Sequence, residues 1–326
     1  MNRTLRGVWL EVRVIPVLLW SFSALTVGTA LAAHGRDLQV WYYLGAVVLG
    51  VLIQGILAHT VNEVEDWRSG TDRHDSPRVI SGGSKVIRLG LMGPGGLWAM
   101  FAAAFAVCVA LGLALVAARG LVMLPFGLAG VLGAVVYTLP PVRGAYRPFL
   151  GEGIAFSCLV VCVTGAYLLQ GPRPGPTAFA AAVSVAAYAV SMLMVHHFLD
   201  RDADLAADPP KITTVVLLGL DRGRRYAIGW CLLALAAALA ASAGEPRLLP
   251  LVAGYTVGLY AHLRCRPDDV ESVTRCEMLI IFSGIAAALI ASTLLVPSLA
   301  ASLLVAVVAV AAEMRLAGPP PERAPA

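Results

Sequence analysis

With 326 residues, 59% of them hydrophobic and only 13% charged, the chain is too apolar for a soluble domain, in which about a quarter of residues carry charge. Its net charge of +4 comes from a set of 24 cations that is almost entirely arginine. These cations sit at the ends of apolar runs rather than in one basic stretch, so nothing points to nucleic acid.

Apolar windows of about 20 residues recur along the chain, each long enough to cross a bilayer as a helix. Their unbroken Ala, Leu and Val composition excludes the alternating pattern of barrel strands. After a polar lead over 1–14, a first span is expected at about 16–33, with Pro16 in its first turn. It reads as a retained helix and not as a cleaved signal. A second span at about 40–61 delivers Asn62 to the membrane surface, where an acid-rich segment runs to Lys85. Spans three and four are expected at about 97–118 and 121–138, followed by the Pro/Gly-rich stretch 139–153. Spans five and six, about 154–169 and 178–199, lead into a second acidic segment, Asp200 to Lys211. Three more spans follow at about 226–243, 248–262 and 278–295. The last apolar piece, 298–312, is short for a crossing and reads either as a tenth span or as a surface helix. The expected fold class is therefore all-α, a polytopic membrane protein of nine or ten transmembrane helices. Residues 1–315 read as one domain and 316–326 as a disordered tail.

Lysine and arginine report the orientation. With the N-terminus inside, inner loops collect 18 of these cations and outer loops 4. Both acidic segments then face the cytoplasm. The scarcity of lysine beside abundant Ala and Arg suggests a GC-rich source and a bacterial cell membrane.

The two acidic segments carry the chemistry. The first holds Glu63, Glu65, Asp66, Asp72 and Asp75, five of the chain's 20 acidic residues. Asn62 and Asp66, like Asp200 and Asp204, are spaced i,i+4 at the end of a helix, which puts both members of each pair on one face. Oxygen donors of this kind suit a hard ion such as Mg²⁺. Lys85 and Lys211 are the chain's two lysines, and each closes one acidic segment. Two facing patches of this composition would hold metal ions that bridge a diphosphate. Arg78 and the backbone donors of Gly82 and Gly83 add to the first patch.

The paired motifs resemble those of the UbiA superfamily of intramembrane prenyltransferases, which join an N-D-x-x-D-type motif to a D-x-x-x-D motif. The chain looks closest to the 1,4-dihydroxy-2-naphthoate polyprenyltransferase branch. That likeness rests on Gly70-Thr71-Asp72 after the first motif and on the segment from Tyr137 to Glu152. The resemblance implies a bundle of nine helices around a central cavity, a Mg²⁺-dependent reaction, and transfer of an isoprenoid from its diphosphate to an aromatic, quinone-precursor-like acceptor. It implies Asn62, Asp66, Asp72, Asp200 and Asp204 as metal ligands, with Arg78, Lys85, Lys211 and Arg143 toward diphosphate or an acidic acceptor. Asp66 and Asp200 would act in ionisation, Tyr137 would shield the allylic cation, and Glu152 would orient a donor. The alternative within the same fold is a terpene cyclase that quenches the cation without an acceptor.

The chain departs from that pattern in places. Glu63 stands where an Asp is expected, and Leu217 where an arginine is frequent. His196 and His197 replace Asn-Asn ahead of the second motif. His197 is the candidate proton acceptor; adjacent helix positions do not face a cavity equally. A transporter reading fits less well, because the acids cluster at helix ends on one side rather than at mid-depth. The six cysteines form no CxxC pair and no cluster with histidine. Cys158 and Cys162 share a helix face and read as packing.

Overall fold

The computed structural model describes residues 3–72, 83–171 and 173–316. Arg78 and Gly82 lie outside these ranges. The described residues are helical and contain no strand. Eight helices have the length and apolarity to cross a membrane: α1 (Arg3–Ala33), α2 (Val40–Ser69), α3 (Pro94–Arg119), α5 (Leu150–Gln170), α6 (Pro176–Ala206), α7 (Leu220–Gly244), α9 (Val270–Leu295) and α10 (Pro297–Leu316). Two shorter apolar helices, α4 (Leu121–Val136) and α8 (Leu249–Arg264), stand among them, and a five-residue helix, Thr214–Leu218, precedes α7. The ten expected apolar stretches thus map onto ten helices, eight of them of full crossing length. The last, expected over 298–312 as a short piece, extends over 20 residues.

Helix starts follow local chemistry. Pro94, Pro176 and Pro250 stand in the first turns of α3, α6 and α8, where the missing N–H is not needed. Pro16 acts differently. It cannot donate to the carbonyl of Val12, and α1 breaks just there, with Arg13 in the left-handed region at φ 51°. The helix resumes at Val14 with Pro16 in its first turn. Further on, Leu18–Phe22 of α1 and Ile53–Ala58 of α2 are wound as π-helical turns. The two turns meet where Gln54 Oε1 accepts from Ser21 N at 3.0 Å, and both border the cavity described below. Such turns recur at functional sites.

Helices α1, α6 and α9 form the buried centre, with Tyr188, Ile280, Ile281 and Leu289, and Tyr255 of α8 beside them, almost fully enclosed. The Tyr188 and Tyr255 rings stack with centroids 4.0 Å apart. By contrast, α3 and α10 turn Trp98 and Val107, and Leu304, Val307 and Val308, outward. Apolar surface on this scale needs lipid around it. Close packing at the centre depends on small residues. A Cβ on Gly28 of α1 would stand 2.1 Å from the Val163 carbonyl oxygen of α5. Gly28→Ala is therefore expected to destabilise the fold by about 1–3 kcal/mol, read as a lower Tm of the detergent-solubilised protein. An unchanged Tm would show that α1 and α5 can separate without loss.

Candidate active site

One cavity of about 850 Å³ opens among α1–α6. Its polar end is lined by Asn62, Asp66, Asp72, Asp200 and Lys211, with Tyr137, His196, His197 and Arg13 on its walls. The remainder is apolar and runs past Ala46 of α2, Leu115 and Val116 of α3 and Leu169 of α5. From Asn62 to Ala46 the lining follows α2 for about 24 Å at 1.5 Å per residue.

The first acidic segment is folded into this end by two glycines. Gly70 closes α2 at φ 87°, which turns the chain back so that Asp72 N donates to Asp66 O at 3.3 Å. Gly83, at φ 72°, brings the returning backbone so close that a Cβ there would stand 2.6 Å from Asp72 Oδ2 and 2.7 Å from Glu63 Oε2. Glu63 then accepts from Ser84 N at 2.9 Å and from Lys85 N at 3.3 Å. The Glu in place of an expected Asp thus holds a loop through backbone donors. Those N–H groups are committed to Glu63, and Lys85 is not among the cavity-lining residues.

The i,i+4 pairs behave as two different units. Asn62 Nδ2 donates to Asp66 Oδ2 at 2.7 Å, so the first pair does share a face. In the second, Asp200 lines the cavity, whereas Asp204 is buried behind it, 4.0 Å from Lys211 Nζ. Lys211 reaches across to Asp66 Oδ2 at 2.8 Å and joins the two acidic segments through their side chains. One backbone bond repeats the join, Asp208 N donating to Ser69 O at 2.8 Å, while Lys211 N donates to Asp204 O at 2.9 Å within the second segment. Burial alone would push the Lys211 pKa down, but Asp66 and Asp204 outweigh it and hold it well above the ordinary lysine value. The side chain is an ammonium at neutral pH.

Several partners were not legible in the sequence. Tyr146, from the Pro/Gly-rich stretch, donates its hydroxyl to Asp66 Oδ1 at 2.9 Å. Burial and then the Asp66 charge raise its pKa, so it remains a donor. The Lys211 ammonium lies 5.3 Å from the centre of the same ring. Arg143 pairs with Glu65 and lines a second, smaller pocket with Arg68, Ser69 and Asp208, not the main cavity. Glu152 is buried in the first turn of α5. Among the described residues no three carboxylate, histidine or cysteine side chains come close enough to chelate an ion by themselves. Four of the five expected ligands, Asn62, Asp66, Asp72 and Asp200, border one end of the cavity, and Asp204 lies behind them.

Residues 21–279 match the UbiA prenyltransferase family. No curated protein matches the chain. The fold is similar to that of a UbiA homolog from Archaeoglobus fulgidus bound to GPP and Mg²⁺, with a TM-score of 0.63 and 16% identity over 88% of this chain and 99% of that one. The same homolog bound to DMAPP and Mg²⁺ gives 0.62, again at 16% identity and the same coverage. A digeranylgeranylglyceryl phosphate synthase structure gives 0.55 at 13% identity, also over 88% and 99%.

Removing the ammonium leaves two buried carboxylates facing each other. Lys211→Met is expected to cost about 3–5 kcal/mol, seen as a lower Tm, and Asp66→Asn in the same background should recover part of it. A Tm unaffected by Lys211→Met would mean that the two acidic segments are held together by other contacts.

Proposed function

Because the chain belongs to the UbiA prenyltransferase family, we propose that it is an intramembrane prenyltransferase that uses Mg²⁺ to move an isoprenoid from its diphosphate to an aromatic, quinone-precursor-like acceptor. The observation that carries this reading is the single cavity with an acidic, lysine-bridged end and a long apolar remainder. A diphosphate headed by a hydrocarbon tail has the same two-part character. The acidic end suits Mg²⁺ because that ion is ordinarily held by one or two carboxylates together with substrate phosphates, not by an all-protein cage. Asn62, Asp66, Asp72 and Asp200 border the space for it, with Asp204 behind. When bound, the ion supplies positive charge against the departing diphosphate.

The protein's own groups then have defined tasks. Lys211, released from Asp66 toward phosphate oxygens, adds a second positive charge where negative charge develops. Tyr146 and Asn62 keep Asp66 oriented through their hydrogen bonds. Tyr137 places a ring on the cavity wall, where an allylic cation would be shielded from water. Lys85 and Arg78, together with Arg143 at the smaller pocket, are assigned to the approach of anionic substrates. The Tyr137–Glu152 segment favours the naphthoate-prenylating branch. The cation count supports a cytoplasmic position for the acidic end, and the reading assigns a bacterial cell membrane and a single catalytic domain over 1–315.

Incubating the purified protein in nanodiscs with Mg²⁺ and geranyl, farnesyl or geranylgeranyl diphosphate, with and without 1,4-dihydroxy-2-naphthoate or 4-hydroxybenzoate, tests this reading by mass spectrometry. A prenylated aromatic is expected, formed at least about 100-fold more slowly by Asp66→Ala or Asp200→Ala. A cyclic hydrocarbon or alcohol made without acceptor would instead identify a cyclase. No Mg²⁺-dependent diphosphate release from any donor would overturn both. Gly112 and Gly127 line the apolar part of the cavity, and a Cβ at either would meet nothing within 4 Å. Gly112→Leu should thus disfavour geranylgeranyl relative to geranyl diphosphate, measured as a ratio of kcat/KM values. An unchanged ratio would place the tail elsewhere.

A further inference from the structure

Helix α9 is apolar through its middle, yet it buries Glu277 to 1% exposure. An isolated carboxylate in such a place is costly, so its partner matters. Glu277 Oε1 lies 2.9 Å from His196 Nδ1. On the other side of the ring, His196 Nε2 lies 3.5 Å from Arg13 Nη2. The two neighbours assign the tautomer. A carboxylate accepts only and a guanidinium donates only, so Nδ1 carries the proton and Nε2 presents its lone pair. His196 and Arg13 both line the cavity, and Arg13 is presented there by the left-handed break between the two parts of α1. Neighbouring His197 also lines the cavity, but its Nδ1 has no hydrogen-bond partner among the described residues. The sequence alone favoured His197 as proton acceptor, and the geometry favours the histidine beside it.

We propose that His196, oriented by Glu277, is the general base that removes the hydroxyl proton of a phenolic acceptor. This deepens, and rests on, the prenyltransferase reading. His196 precedes Asp200 by four residues on α6, about 6 Å deeper along the helix at 1.5 Å per residue. That is one turn in from the diphosphate end, on the side where the allylic carbon would lie. In the step, the phenolic O–H bond breaks and its proton passes to Nε2, while the electron pair moves into the ring. The ring carbon ortho to the oxygen forms the new bond to the allylic carbon, and the carbon–oxygen bond to diphosphate breaks with its pair leaving on diphosphate. The ring proton at the new bond then moves to the oxygen through water, restoring the phenol. The imidazolium releases its proton to the same water. Glu277 takes no proton; it fixes the ring and stabilises the imidazolium, as a carboxylate behind a histidine does elsewhere. The charged and titratable groups facing His196 are Glu277 from α9 and Arg13 from α1, with His197 and Asp200 beside it on α6.

The test varies the acidity of the acceptor. Full-length protein in nanodiscs, with Mg²⁺ and geranylgeranyl diphosphate, is given 1,4-dihydroxy-2-naphthoate, 4-hydroxybenzoate or 3-fluoro-4-hydroxybenzoate, whose phenol is the more easily ionised of the two benzoates. His196→Gln is expected to slow transfer to 4-hydroxybenzoate by about 100-fold or more, with a clearly smaller defect on the fluorinated acceptor. Glu277→Gln should show the same dependence with a smaller loss, and Glu277→Asp should restore part of it. The double variant His196→Asn/Glu277→Gln, which leaves no buried charge, controls for misfolding and should behave as His196→Gln does. A defect of equal size on both benzoates would assign the pair a structural role and overturn the proposal. So would a wild-type protein that releases diphosphate but alkylates no phenol. A wild-type protein that releases no diphosphate from any donor would instead remove the prenyltransferase reading beneath it.

Discussion

The contact between Lys211 and Asp66, 2.8 Å apart, ties together segments 145 positions apart in the chain. Each comes from the end of a different membrane helix, and each brings a buried charge that the other offsets. Asp66 also receives Asn62 and Tyr146, and Asp204 stands on the far side of the ammonium. Such a buried pair is a poor way to gain net stability, since desolvation offsets most of the attraction. What it provides is a defined arrangement of carboxylates around a position already suited to a cation.

The apolar scaffold makes this arrangement possible. Helices α1 and α6 pass through the centre of the bundle, and glycines such as Gly28 let neighbouring backbones close to contact distance. Close backbone packing therefore carries much of the interior. Polar groups gather instead at one end and along one wall of the cavity, where π-helical turns in α1 and α2 widen the spacing between side chains. The apolar remainder of the cavity is lined by the same helices that face lipid on their other sides. A hydrocarbon chain could exchange between membrane and cavity without crossing a polar barrier.

Much of this was legible in the sequence, for physical reasons. Long apolar runs have one solution in a bilayer, so ten stretches became ten helices. The i,i+4 spacing of Asn62 and Asp66 fixes a shared face wherever the helix sits. Two rare lysines closing two acidic segments drew attention to Lys211, which the fold sets between Asp66 and Asp204. Other features were hidden because they depend on tertiary contact. Nothing local distinguishes Tyr146 from other tyrosines, and its partner lies 80 positions away. Glu277 was one acid near the start of an apolar helix until the fold set it against His196. Glu63 occupies a motif position yet serves the returning loop, because its longer arm reaches the backbone at Ser84. Arg143 follows the same lesson: proximity in a motif placed it near diphosphate, while the fold pairs it with Glu65.

The central claim is that the acidic end becomes a metal site only when a diphosphate completes it. Calorimetric titration of the nanodisc-embedded protein with a non-hydrolysable geranylgeranyl thiolodiphosphate, with and without Mg²⁺, tests that claim most directly. Mutual dependence is predicted, with Mg²⁺ binding weakly alone and each ligand tightening the other by about 10-fold or more, a coupling of about 1.4 kcal/mol. Mg²⁺ that binds equally tightly with and without the diphosphate analogue would contradict it, because the carboxylates would then form a complete site by themselves.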